Sequence, residues 1–250
     1  MVKIASIGDC VVDVYPQQKK HFLGGTAFNR AVWLAQNDVR VSLVSAVGND
    51  TWGKKYLDIC RKLKINITWL SVIPGPTSHI NITLDRQKRA RFSAWKLEGL
   101  KNFRPGGFPQ SQDALITTGF KPIKQLMTLP ASPFTAIDFD GHTPYTFSNA
   151  AVDKFASAFD LVITSRHLTI KHHPLVLTTL GSQGSRVVYQ GRQFFSPAPP
   201  VKTQDTTGAG DVYIASFVLH YLKTKNIPLS MKRATSQAAE FISQPRSLSV

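Results

Sequence analysis

The stretch that most constrains this chain is Asp205-Thr206-Thr207-Gly208-Ala209-Gly210-Asp211, set between a proline-rich segment (Pro197, Pro199, Pro200) and an apolar run from Val212 to Leu222. Apolar side chains at Val212, Ala215, Phe217, Val218, Leu219 and Leu222 have helical spacing, and Asp205 and Thr206 are capping residue types. The pattern predicts a helix that opens at Gly208-Ala209-Gly210. The first N–H groups of a helix have no intrahelical acceptor and carry partial positive charge, which suits a phosphate or a developing anion. Asp211 then stands one residue beyond that anion pocket. A carboxylate is costly there unless it has a task, and taking a proton from an attacking hydroxyl is one. For a bare Gly-x-Gly, an ordinary helix start with a first-turn acid is the better reading.

Upstream, Lys3 to Ile7 reads as a buried strand, followed by a second at Val11 to Tyr15. Asp13 interrupts that second apolar run, so it either turns outward or is needed where it sits. The Gly24-Gly25 pair permits close backbone approach, and Thr26 is placed to cap a helix over Ala27 to Ala35, with Asn29 in its first turn. Val39 to Val47 reads as a strand and Trp52 to Lys64 as a helix. Ile80, Ile82 and Leu84 alternate with polar residues, as do Ala90, Phe92 and Ala94, which predicts a β-hairpin turning at Asp85 to Lys88. Arg86, Lys88, Arg89 and Arg91 at its tip read as a solvated turn.

From Ala114 onward short apolar runs recur at 114–116, 134–139, 161–163, 175–177 and 187–189, with helical pattern near 150–159 and again from Met231 to Ile242. Strands alternating with helices predict an α/β fold, a mostly parallel central sheet with helices on both faces. Asp138 and Asp140, beside Gly141, read as strand-end and turn polars. Thr178 to Gly184 reads as a tight turn between two strands.

Taken whole, the string Asp205 to Asp211 resembles the signature of the ribokinase-like (PfkB) family of sugar and nucleoside kinases. The resemblance extends to Gly24-Gly25 with Asn29, and to Thr179-Leu180-Gly181-Ser182-Gln183-Gly184. The stretch from Ile7-Gly8-Asp9 through Val12 to Gln17, with Phe22 and Gly24-Gly25, is similar to the fructoselysine 6-kinase branch. The resemblance implies a single ribokinase-like domain over residues 1–250, with a small β lid from about 11–20 and 77–96. It implies Asp211 as the base, with the Gly208, Ala209 and Gly210 amides stabilising the transferring phosphoryl group. Asp13, Gly25 and Asn29 would hold sugar hydroxyls, and Thr179, Gly181 and Gly184 would lie against the nucleotide. ATP and Mg²⁺ are the implied cofactors, with K⁺ as a further monovalent cation at Asp205 and Thr207. Homodimerisation through the lid is also implied. A fructosamine is the expected substrate, with fructokinase or ribokinase activity as the alternative.

This sequence departs from the family pattern after Asp160. Ser165-Arg166-His167-Leu168 stands where the family carries Asn-x-x-Glu, and no Asp or Glu occurs between Leu161 and Gln204. Either Arg166 or Lys171 neutralises charge near the phosphates, or catalysis has decayed and a sugar- or nucleotide-binding protein remains. Thr26 and Arg30 also differ from the Asn and the small apolar residue expected there.

The net charge is +15, from 30 basic and 15 acidic residues, which would suit an anionic partner. The basic residues are scattered, though, and no nucleic-acid module accompanies them, so no nucleic-acid partner is expected. No apolar stretch approaches the roughly twenty residues of a membrane helix. The opening residues read as a strand rather than a leader, and Cys10 and Cys60 are too few for a disulfide framework. A cytoplasmic enzyme of small molecules, without a membrane partner, is the expectation.

Overall fold

The computed structural model describes residues 1–86, 90–139, 145–165, 168–170, 173–203 and 205–245. Arg166, Lys171, Lys88, Arg89 and Asp140, singled out above, lie outside these residues, as does Gly141. The first strand, β1 (Lys3–Ile7), is buried on both faces. Ile4 joins the core under the first helix, where Ser6 Oγ also donates to Ala27 O at 2.8 Å, while Ala5 and Ile7 enter the core on the opposite face. This two-faced burial is what a central parallel strand requires.

The main sheet adds β4 (Arg40–Gly48), β5 (Leu70–Ile73), β8 (Ala114–Thr118), β9 (Thr135–Phe139), β10 (Leu161–Ser165), β11 (Leu175–Thr179), β12 (Ser185–Tyr189) and β13 (Arg192–Ser196). Its order is β13-β12-β11-β10-β9-β8-β1-β4-β5. All pairs from β5 across to β11 are parallel, while β12 and β13 close the far edge as antiparallel strands. The order runs one way from β1 through β4 and the other way from β8, so the sheet changes direction between β1 and β8. Ligands of open α/β sheets bind beyond the strand C-termini at such a switch.

Helices α1 (Thr26–Ala35), α2 (Thr51–Lys62), α4 (Ala209–Thr224) and α5 (Ile227–Ser243) supply one covering layer. The other face is covered by α3 (Asn149–Ala156), by 3₁₀ turns at Glu98–Asn102 and Lys121–Met127, and by a second sheet. That second sheet has the order β3-β2-β6-β7, from β2 (Val11–Tyr15), β3 (Lys20–Gly24), β6 (His79–Leu84) and β7 (Ala90–Lys96). The alternation at Ile80, Ile82, Ala90 and Phe92 emerges as the antiparallel β6–β7 pair. No helix among the described residues is long and apolar enough to cross a membrane.

Local capping differs from expectation. Gly208, at φ +86°, is the N-cap of α4, not Asp205 or Thr206. Gly25 is the N-cap of α1, and Thr26 is already its first residue, its hydroxyl committed elsewhere. A cap reads only a few neighbours, and here distant polar partners outcompete it. Helix α5 begins at Ile227, ahead of the expected Met231, because Asn226 accepts from Leu229 N–H and Pro228 suits the first turn.

Candidate active site

Elements from both ends of the chain converge beyond the C-terminal edge of the main sheet. There a cavity of about 330 Å³ is lined by Asp9, Asp13, Gly25, Thr26, Asn29, Asp138, Ser165, Thr179, Gly181 and the whole run from Thr206 to Asp211. Ile80, Ala90, Phe92 and Trp95 of the second sheet, with Phe120, form its apolar wall. The second sheet therefore stands over the pocket.

The opening turn of α4 has the form an anion requires. Ala209 N–H bonds Thr206 O and Val212 N–H bonds Gly208 O, at 3.2 and 3.1 Å. The N–H groups of Gly208 and Gly210 are left without an acceptor among the described residues. A Cβ added at Gly210 would meet nothing within 4 Å, so the space above that backbone is open. Asp211 follows in the first turn, and its Oδ2 accepts from Asn29 Nδ2 at 2.7 Å, across 182 residues. Two residues expected to handle the acceptor hydroxyl thus meet directly.

Asp13 does not turn outward. It is 4% exposed, in a strand paired on both sides, with its carboxylate over Gly24. A side chain at Gly24 would place its Cβ 2.2 Å from Asp13 Oδ2, and one at Gly25 would lie 2.4 Å from Asp9 O with φ at +98°. The glycine pair is a steric requirement of the carboxylate and of the turn into α1. Tyr56, from α2, fixes the same backbone by donating to Gly24 O and accepting from Gly24 N–H.

Thr179 and Gly181 line the cavity, at the end of β11 and in the turn after it. That turn is also a tight antiparallel connection to β12. Gly184 is not among the lining residues; it packs against Ser196 and Pro197, where a Cβ would clash at 2.0 Å with Ser196 O. Asp205 and Thr207, the pair expected for a monovalent cation, bond each other. Asp205 Oδ1 accepts from Thr207 N–H and Oγ1 at 2.8 and 2.6 Å, and its Oδ2 accepts from Tyr15. Each carboxylate oxygen of Asp205 thus accepts at least one hydrogen bond. Among the described residues no His, Cys, Asp or Glu group of three or more could hold a metal ion.

The reading of Asp138 as a plain strand-end polar is corrected. It lines the cavity, and its Oδ2 lies 3.6 Å from Nη1 of Arg30, a residue with no exposed surface. Arg30 Nη2 donates to Thr118 Oγ1 (2.7 Å) and to Ile7 O (3.3 Å). Thr118 and Thr26 hydroxyls are 2.7 Å apart, and Thr26 Oγ1 donates to Asp9 Oδ1 at 2.5 Å. Burial pushes the Asp9 carboxyl up, opposed by the Thr26 hydroxyl and the Arg30 charge. Asp9, Asp138, Ser165 and the aromatic wall are lining residues that sequence reasoning did not single out for chemistry. Arg30, an unpaired-looking charge in an apolar helix face, was the one local signal for this floor.

Residues 1–115 and 161–249 match the family described as pfkB family carbohydrate kinase. The chain is 27% identical to fructoselysine 6-kinase of Shigella flexneri, over 97% of this chain and 98% of that one. Its fold is similar to that of a nucleoside kinase of Methanocaldococcus jannaschii (TM-score 0.80, 20% identity, covering 98% of this chain and 92% of the other). It is also similar to a fructokinase of Vibrio cholerae solved with fructose, ADP and calcium (TM-score 0.76, 21% identity, 98% and 94% covered). The match includes the N-terminal glycine turn and the C-terminal turn that opens α4, both of which line the cavity, and the chain belongs to the pfkB family of carbohydrate kinases, phosphotransferases whose acceptor is an alcohol.

Proposed function

We propose that this kinase transfers the γ-phosphoryl group of ATP to the 6-hydroxyl of a fructosamine such as fructoselysine. The observation that carries the reading is the 2.7 Å contact of Asn29 with Asp211 beside the open N–H groups of Gly208 and Gly210. Asp13, Gly25 and Asn29 hold the sugar. Asp211 accepts the proton of the attacking hydroxyl while its oxygen bonds to the γ-phosphorus and the bond to the β-phosphate oxygen breaks, releasing ADP. Phosphoryl transfer needs alignment and charge stabilisation more than covalent help, and the α4 amides provide both. Thr179 and Gly181 border the nucleotide, and Gly184 closes the turn that carries them.

Mg²⁺, when bound, would offset phosphate charge; nucleotide oxygens and water would hold most of it, since no group of three or more acidic, His or Cys ligands stands among the described residues. The fructosamine assignment rests on the similarity to fructoselysine 6-kinase. Residues 1–250 form one domain in this reading, with β3 and β7, the edge strands of the smaller sheet, available to pair with a second copy. A non-catalytic binding protein is the second reading, favoured by the absence of any acid from Leu161 to Gln204. A coupled ADP-release assay over fructosamines, fructose and ribose decides between them. Turnover fastest with a fructosamine supports the proposal, a preference for fructose or ribose moves the substrate, and no turnover with any sugar leaves the binding reading.

A further inference from the structure

We propose that Asp138, backed by the buried Arg30, is an acceptor-specificity residue that reads a positively charged nitrogen on the sugar, and so favours an aminated acceptor over a neutral one. This rests on the sugar-kinase reading above and assigns one residue a task within it.

The first ground is the sign of the cavity. Its described lining carries four carboxylates, Asp9, Asp13, Asp138 and Asp211, and no Lys, Arg or His, in a chain whose net charge is +15. Asp13 and Asp211 have acceptor hydroxyls to receive. Asp9 and Asp138 do not share that task. Mg²⁺ would offset charge on the nucleotide, but a neutral sugar brings no positive charge to the floor that these two carboxylates make. A cation on the acceptor would supply it.

Arg30 forms the second ground, because its hydrogen bonds have a direction. It donates to Thr118 Oγ1, so the Thr118 hydroxyl donates to Thr26 Oγ1, whose own hydrogen goes to Asp9. The same guanidinium faces Asp138 at 3.6 Å from behind, since Arg30 is fully buried and does not line the cavity. One cation beneath two carboxylates leaves the floor anionic while holding both in place. A buried arginine is expensive to desolvate, and a floor built only for packing would use an apolar residue here.

An unused acceptor supplies the third ground. Ser165 Oγ, on the strand beside Asp138's, is in a residue 4% exposed that lines this cavity, and it has no hydrogen-bond partner among the described residues. Trp95 Nε1, from the covering sheet, also lacks a partner among the described residues, but its N–H only donates and suits a sugar oxygen, not the charged nitrogen. Buried polar atoms in native proteins are paired unless a ligand or water completes them. The Phe92 and Trp95 faces also suit a cation or the apolar stem of an amine substituent.

The test compares fructose with 1-amino-1-deoxyfructose as acceptors at neutral pH, in the wild type and in Asp138→Asn, reading the aminated-to-neutral ratio of kcat/KM. A charge-assisted contact predicts a wild-type ratio of about tenfold or more. In Asp138→Asn the ratio should fall to within about threefold of unity, mainly through the KM of the aminated acceptor. Structural damage lowers both acceptors together and leaves the ratio in place. Asp138→Ser, which relieves any crowding against Arg30, is the second variant should the first not fold, and the same loss is expected. The proposal is overturned by a wild type without preference for the amine, by a ratio unchanged in the variants, or by variants whose only change is a higher Mg²⁺ requirement for both acceptors. Absence of turnover with every sugar instead overturns the kinase reading, and this assignment with it.

Discussion

Tyr15 and Asp205 are joined by a hydrogen bond across 190 residues: the phenol donates to Asp205 Oδ2 at 2.5 Å and lies 3.0 Å from Thr207 Oγ1. Tyr15 ends β2 of the covering sheet, and Asp205 begins the turn that opens α4. The bond ties the sheet above the pocket to the turn that opens α4 beside it. Tyr15→Phe keeps the ring, with its edge-on contact to Phe22, and removes the hydroxyl with its contacts to Asp205 and Thr207. A hydrogen bond to a charged group contributes about 1.5–3 kcal/mol. Urea denaturation should show a loss in that range, with turnover falling because the Gly208–Gly210 amides are less well placed. A variant as stable as the wild type would mean that the turn holds itself through Thr207 alone.

Asp211→Asn should remove phosphoryl transfer and spare binding. Asparagine has the same size and can still meet Asn29 through its amide oxygen, but it cannot take the proton. Turnover should fall by about 10² to 10⁴, the usual share of a general base. Titration calorimetry with nucleotide and sugar should show affinities near wild type. Turnover surviving within about tenfold of wild type would exclude Asp211 as the base.

Asp50 gives a pH signature outside the chemistry. It is the N-cap of α2, accepting from Gly53 N–H at 2.9 Å, and from Thr77 N–H and Oγ1 at 2.9 and 2.6 Å. Partial burial pushes its carboxyl up, but the Thr77 and Gly53 hydrogen bonds outweigh that and hold it below the ordinary value. A depressed folded-state value means the carboxylate stabilises the fold above the unfolded-state pKa of about 3.9, and that this share is lost as pH falls further. Asp50→Ala should cost roughly 1 kcal/mol at pH 7, typical of a lost cap. The gap between variant and wild type should close in acid, which urea midpoints across pH will show.

Leu168→Glu tests how the metal is held. Leu168 follows β10, its N–H bonded to Ser165 O at 3.1 Å, where the family pattern carries an acid. With no acid from Leu161 to Gln204, activity should require free Mg²⁺ beyond the level that saturates ATP. The glutamate variant should reduce that requirement in a Mg²⁺ titration at fixed ATP. An unchanged requirement would place Leu168 outside the metal's reach or give the task to another acid.

The amino-acid sequence determined what depends on near neighbours. Alternation at Ile80 to Phe92 gave a hairpin, the apolar run after Gly210 gave a helix with an open N-terminus, and the two-faced burial of Ile4 to Ile7 gave a central strand. Those features follow from backbone hydrogen bonding and side-chain period, which a window of ten residues contains. Asp13, Asn29 and Asp211 were legible as candidate site residues only through the family's pattern of spacing, since nothing local says that they share a cavity. Tertiary structure decided that Asn29 meets Asp211, and that Thr26 serves Asp9 instead of capping its helix. It also decided that Asp138 enters the pocket with Arg30 behind it. Each of these depends on the strand order, which sets β9 two places from β1 and brings α1 against α4. A polar side chain finds its partner among whatever groups that packing leaves nearby, and burial forces the choice, because an unpaired polar group costs more inside the protein than in water.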